Sequence, residues 1–341
     1  MSAPAILVTG GAGFIGSHVC KLLAGAGMLP VTMDNLSTGQ AHAVRFGPLE
    51  IADTRDTAQV GLVLERWAPQ AIIHMADVSN VAESVADPAK YHDNNVNGSL
   101  SLFRAAAAHG CRRIIYSSSA SVYAPPAGTG ALDENAPIAP GNPYGETKAA
   151  VEAALRALAA GDGFRAIAFR FFNAAGADPG GELGEEHLPE THLIPIVLEV
   201  ARGKRARLAI NGTDFPTPDG TAIRDYVHVE DIARAHLLGL SVLMDGQDGR
   251  TNTYNLGNGR GHSVREIVAA ARHVTGRAIA TETVGRRPGD PAALVADSAL
   301  ARETLGWAPR HPAIEVQIAH AWAWCLSQDP APVVPISALT S

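Results

Sequence analysis

Short apolar runs alternate along the chain with stretches whose apolar residues recur every three or four positions. Residues 5–8, 30–33, 49–53, 71–76, 113–116 and 166–172 read as buried strands. The stretch holding Val19, Leu22 and Leu23, then 57–67, 96–108 and 149–160, read as helices. This alternation predicts an α/β fold, a doubly wound parallel sheet with helices on both faces. From Asn173 the pattern changes to polar loops with Pro, Gly and acids. Residues 1–175 are therefore expected to form one domain and residues 176–326 a smaller one. A helix at 227–243 and a strand at 253–256 are expected to return to the first domain, so 227–256 rejoins it. The Pro-, Gly- and Ala-rich loop 124–141 is long enough for a flexible flap or small lid. The Pro- and Ser-rich end, 327–341, is expected to be a disordered tail.

Composition narrows the class. Of 341 residues, 46% are hydrophobic and 18% charged, a globular balance. A net charge of −7 argues against a general binder of nucleic acid or anionic membranes. Cys20, Cys111 and Cys325 are few and far apart, so a disulfide framework is not expected. They pair with no histidine in a metal-ligand spacing, and no metal is expected. Without a long apolar run or a leader-like pattern, a cytoplasmic protein is the expectation.

Three stretches carry chemistry. After the first strand, Gly10, Gly13 and Gly16 are spaced three apart and open an apolar helix. Such a turn lets a pyrophosphate approach the backbone while helix amides face its charge. Asp34 ends the second strand, where a carboxylate can accept hydrogen bonds from an adenosine ribose and would repel a 2′-phosphate. That pattern favours NAD over NADP. Ser117, Ser118 and Ser119 sit at the carboxyl end of the fifth strand, the edge where open parallel sheets bind ligands. Finally, Asn142-Pro143 reads as a helix entrance, which puts Tyr144 and Lys148 on one helical face. A phenol titrates near ~10, and an ammonium beside it favours the phenolate. The pair suits proton exchange with a sugar or alcohol hydroxyl.

On these segments, and on 34–39, 117–123, 170–176, 189–195, 219–229 and 286–290, the chain resembles the extended short-chain dehydrogenase/reductase superfamily. Within it, the later segments are similar to the UDP-glucose 4-epimerase family. The resemblance spans roughly residues 5–325. It implies a Rossmann-type domain holding NAD, a smaller α/β C-terminal domain for the UDP-sugar, and a homodimer. It implies reversible epimerisation at carbon 4 of a UDP-hexose through a 4-keto sugar, with Ser119, Tyr144 and Lys148 catalytic. Implied cofactor contacts are Gly10, Gly13, Phe14, Ile15, Gly16, Asp34, Asn35, Ser37, Thr38, Gly39, Asp53 and Thr54. Met75, Ala76, Asn94, Ser117, Tyr144, Lys148 and Phe172 complete that set. Implied substrate contacts are Ser119, Tyr144, Asn173, Leu193, Ala209, Ile210, Asn211, Arg224, Arg287 and Asp290. Physically, Arg224 and Arg287 suit a diphosphate, although either could instead form an ion pair with a neighbouring aspartate.

The chain departs from the family at Asp77, where a small neutral residue is usual, and at Ser79, His92 and Ala124. A carboxylate at 77 is expected to affect cofactor affinity and rate. A sugar-nucleotide dehydratase would carry an Asp-Glu pair just after the catalytic Ser/Thr, whereas Ala120 and Ser121 follow Ser119 here. An epimerase of UDP-N-acetylhexosamines or UDP-pentoses is the nearer alternative. Leu294 lies near the family's gate for the 2-substituent, and a branched apolar group there leans towards the plain hexose. A non-catalytic NAD-binding regulator is the alternative of another class, and retention of Ser119, Tyr144 and Lys148 speaks against it.

Overall fold

The computed structural model describes residues 3–126, 128–246, 251–287 and 289–328. Strands β1 (Ala5–Thr9), β2 (Leu29–Asp34), β3 (Leu49–Ile51), β4 (Ala71–His74), β5 (Arg113–Ser119) and β6 (Arg165–Phe171) alternate with helices. β7 (Asn173–Ala175), β8 (Leu208–Asn211), β9 (Ile223–His228), β10 (Thr251–Leu256), β11 (Gly261–Ser263), β12 (Thr281–Val284) and β13 (Ala293–Leu294) follow. Seven of them form one parallel sheet in the order β10-β6-β5-β4-β1-β2-β3. The order reverses between β1 and β4, and ligands of such sheets bind outside the carboxyl ends at that crevice.

Successive side chains of a strand point to opposite faces, so β1 feeds two cores. Ile6 and Val8 pack with Val19 and Leu23 of α1 (Phe14–Gly25), while Leu7 packs with Val60 and Leu64 of α2 (Thr57–Trp67). Along the chain, α3 (Val81–Ala86) and α4 (Pro88–Tyr91) lead into a π-helical turn at His92–Asn97. α5 (Gly98–Ala108) continues from it without a break. The helix expected at 96–108 is therefore part of a longer rod with one wide turn. α6 (Pro143–Gly161) covers the same face through Val151 and Leu155.

The remaining elements divide between two places. α7 (Leu193–Ala201) builds a separate core with Ile210, Tyr226 and Ile318, while α8 (Val229–Met244) packs on α1. α9 (Val264–Thr275), α10 (Ala299–Leu305) and α11 (Ile314–Ser327) complete the described helices. β10 joins the main sheet beside β6, as the pattern at 253–256 predicts. The expected helix at 227–243 begins two residues late, because Val227 and His228 pair with β7 as strand. β7 leaves the main sheet for β9, so backbone pairing changes partner at Asn173, where the sequence character changes.

Two stretches have particular attachments. The loop 124–141 is not free at its middle. Leu132 bonds Val295 and Asp297 backbone at 2.8 Å each, and the Asn255 amide donates to Glu134 at 2.7 Å. Of the expected tail, Ser327 instead closes α11, and positions 329–341 lie outside the described residues.

Candidate active site

α6 starts as its sequence dictates. Asn142 Oδ1 accepts from the Gly145 amide at 2.9 Å, and Pro143 takes the first helical position. Gly145 presses on the loop beyond Ser119. A Cβ there would lie 2.2 Å from the Ser121 carbonyl oxygen. That approach brings Tyr144 and Lys148 beside the end of β5. Lys148 Nζ donates to the Ser117 carbonyl at 2.6 Å and lies 5.6 Å from the Tyr144 ring centre. Ser119, almost buried, caps the next turn by accepting from the Ser121 amide at 3.1 Å.

Lys148 has a second partner. Its ammonium is ion-paired with Asp77 Oδ2, and the two side chains are only 3% and 4% exposed. Burial opposes the lysine charge, but Asp77 and Tyr144 more than compensate and raise its pKa. Asp77 Oδ1 and the Tyr116 hydroxyl are buried without a hydrogen-bond partner among the described residues. Burial, then the Asp77 charge, holds the Tyr116 hydroxyl well above its ordinary value. The carboxylate that the sequence flags as foreign to the family is thus aimed at the lysine.

The glycine turn forms a cradle at the carboxyl ends of β1 and β4. Gly10 has φ +70°, and a Cβ on it would lie 2.7 Å from Met75 backbone, which Ala76 continues. A Cβ on Gly16 would lie 2.2 Å from the Gly10 carbonyl oxygen. Gly13 starts α1 without a side-chain cap, leaving the first-turn amides around Phe14, Ile15 and Gly16 without a side-chain acceptor. Asp34 is buried at the cradle's rim. It accepts from the Ala12 amide at 3.1 Å and the Leu36 amide at 2.9 Å, and burial raises its pKa. Gly39 lies against the same carboxylate, at 2.9 Å for a built Cβ. Asn35 accepts from the Ser37 amide at 3.0 Å and donates to Asp53 at 3.0 Å. Asp53, beside Thr54, is held well below the carboxylate range by Arg55. Thr38, with Gly13 and Phe14, lines a pocket closed on its other side by Glu182, Gly184 and His187. These groups fit a dinucleotide: uncapped helix amides for a pyrophosphate, close glycines, and a carboxylate to accept from a ribose.

The substrate-side residues are more dispersed. Phe172 is buried and its amide bonds the Leu256 carbonyl at 3.1 Å. Asn173 sits in β7 opposite Tyr226, and Leu193 begins α7. Ala209, Ile210 and Asn211 lie on β8, paired in parallel with β12. Arg224 is ion-paired with Asp290, the aspartate pairing that the sequence left open for it. Arg287 is exposed, and its carbonyl accepts from the Asp290 amide at 3.2 Å. Leu294 stands opposite Arg224 across β9 and β13.

Sequence reasoning missed the scaffold behind these groups. Glu152 receives Arg170 through two bonds, at 2.9 and 2.6 Å, and the Ser118 hydroxyl at 2.5 Å. Arg170 also donates to Tyr123 at 3.0 Å, and Tyr123 to Asn255 at 2.6 Å. The network locks α6 to the ends of β5, β6 and β10. Its signal was one carboxylate on the apolar face of α6. Asn94 donates to Asn95 at 3.0 Å, and Asn95 ties Val78 to Thr147. Ser117 is likewise committed, its hydroxyl 3.1 Å from His236.

The sequence pattern of the NAD dependent epimerase/dehydratase family matches residues 6–257. The chain belongs to that family. It is 44% identical over 320 residues to a UDP-glucose 4-epimerase of Halalkalibacterium halodurans, covering 94% of this chain and 95% of that one. The structure of UDP-glucose 4-epimerase from Brucella ovis in complex with NAD superposes with a TM-score of 0.89 at 47% identity. That match covers 94% of this chain and 98% of the other. A UDP-glucose 4-epimerase from Stenotrophomonas maltophila, solved with NAD and formylated UDP-arabinopyranose, has a TM-score of 0.91 at 37% identity. It covers 95% of this chain and 98% of its own. Among the described residues, no helix is long and apolar enough to cross a membrane.

Proposed function

We propose that the chain is an NAD-dependent isomerase that interconverts UDP-glucose and UDP-galactose. The observation that carries this reading is the placement of Ser119, Tyr144 and Lys148 at the end of β5, beside the glycine cradle. The chemistry NAD supplies when bound is reversible acceptance of hydride from sugar carbon 4. Tyr144 takes the proton of the 4-hydroxyl and returns it, and Ser119 holds that oxygen by a hydrogen bond. Lys148, charged and buried, would hold the cofactor ribose and stabilise the tyrosinate as it forms. Arg224 and Arg287 bind the diphosphate, Arg224 by exchanging Asp290 for phosphate oxygens. Asn173, Leu193 and residues 209–211 position the rest of the nucleotide sugar. The division into 1–175 with 227–256, and 176–326, gives each ligand half its own domain. Leu294, branched and apolar beside Arg224, favours the plain hexose over an N-acetylated one.

The test is incubation of purified protein with UDP-galactose, without added cofactor, following UDP-glucose. Conversion is expected, and faster than with UDP-N-acetylglucosamine. No conversion even with NAD supplied would remove the reading. A cytoplasmic homodimer belongs to the same proposal and rests on the resemblance. Sedimentation velocity should give twice the 35.5 kDa chain mass, and a monomer would remove the dimer.

A further inference from the structure

The segment between β7 and α7 carries a cluster that the proposed reaction does not use. Glu185, His187, Glu190 and His192 each offer one donor atom, and all four atoms lie within 4.8 Å of one another. His187 Nδ1 is 3.1 Å from Glu185 Oε1, His192 Nδ1 contacts the same oxygen, and Glu190 Oε1 is 3.9 Å from His192 Nδ1. We propose that these four residues form a binding site for one divalent transition-metal ion of zinc's class.

Charge and chemistry support the assignment. The two carboxylates are nearly buried, with side-chain exposures of 7% and 8%. Two carboxylates sealed this close together call for positive charge between them, which a dication supplies. Two imidazole nitrogens and two carboxylate oxygens are a donor set that zinc accepts in tetrahedral geometry. The donors are also oriented from behind. Glu190 Oε1 accepts from the Thr191 and His192 amides at 2.6 and 2.8 Å, fixing its carboxylate. His187 and His192 both turn Nδ1 to Glu185 Oε1, and their rings meet edge to face with centres 5.2 Å apart. The imidazole side is the open one, with exposures of 29% and 46%, and gives an ion its entry.

A second histidine group, His228, Glu230 and His311, is a poorer candidate. There His228 Nδ1 accepts from the Glu230 amide at 3.1 Å, and Nε2 lies 3.0 Å from His320 Nδ1. Both of its nitrogens are already engaged.

The place gives the site a consequence. Glu182, Leu183, Gly184, Glu186 and His187 face Gly13 and Phe14 across the cofactor-side pocket, and His192 directly precedes α7. A bound ion would staple this loop to itself at the mouth of the dinucleotide crevice.

The full chain, purified without a polyhistidine tag and stripped with EDTA, is titrated with zinc chloride against a chromophoric chelator. One ion per chain is expected, with a rise in melting temperature on loading. His187→Ala and Glu190→Gln should each weaken zinc affinity by about tenfold or more, and His311→Ala should leave it unchanged. Circular dichroism reports the fold of each variant, and Glu190→Gln keeps the shape of the side chain. Absence of saturable binding by the folded protein would overturn the site. So would equal zinc affinity in the parent and folded Glu190→Gln, or loss of binding in His311→Ala alone.

Discussion

Tyr144→Phe lowers kcat for UDP-galactose conversion by about 10²–10⁴-fold, the range supplied by one well-placed acid/base group. The ring stays, so its packing at 7% exposure is retained and stability should change by less than about 1 kcal/mol. Bound cofactor should be retained too, because the glycine cradle and Asp34 are untouched. The measurement is kcat alongside the cofactor absorbance of the purified variant. A Phe variant with parental kcat would remove Tyr144 from the chemistry.

Lys148→Met should be severe in a different way. In the parent the ammonium and the Asp77 carboxylate are both sealed from water. Removing one partner strands the other, a loss of about 3–5 kcal/mol for a buried pair. The double variant Lys148→Met/Asp77→Asn removes both charges and should recover most of that stability, while activity stays low. Urea unfolding of the parent, single and double variants reads the first effect, and the UDP-galactose assay reads the second. If the single variant were as stable as the parent, the ion pair would not hold the site together. If the double variant were active, Lys148 would have no role beyond balancing Asp77.

Much of this was legible locally. The entrance of α6 could be read because Asn142 and Pro143 act on amides within the same turn. The glycine cradle and Asp34 could be read because strand, turn and helix follow one another in the chain. The return of 253–256 was legible from its apolar pattern. What could not be read is what the chain brings together from afar. Asp77 meets Lys148 across 71 positions, and only the unusual residue type at 77 hinted that it had a task. Arg170 and Glu152 are 18 apart on different elements, and the carboxylate on the apolar face of α6 does not by itself name its partner. β8 and β12 are short, and their mutual pairing decides that they are strands. Glu185, His187, Glu190 and His192 lie in a loop, where no helical or strand period tells which side chains converge.

The wide turn at His92–Asn97 acts as a phase adjuster. On one side of it, Tyr91 must face inward to donate to the Asn80 carbonyl at 2.6 Å. On the other, Leu102 and Phe103 must face the sheet. A regular helix turns about 100° per residue, so a rod shortened by one residue here would restore ideal bonding and rotate α5 by that angle. Either the pair facing the sheet or Asn95 and its tie to α6 would then swing towards solvent. The extra residue lets one rod keep time with two neighbours whose demands differ by less than a turn.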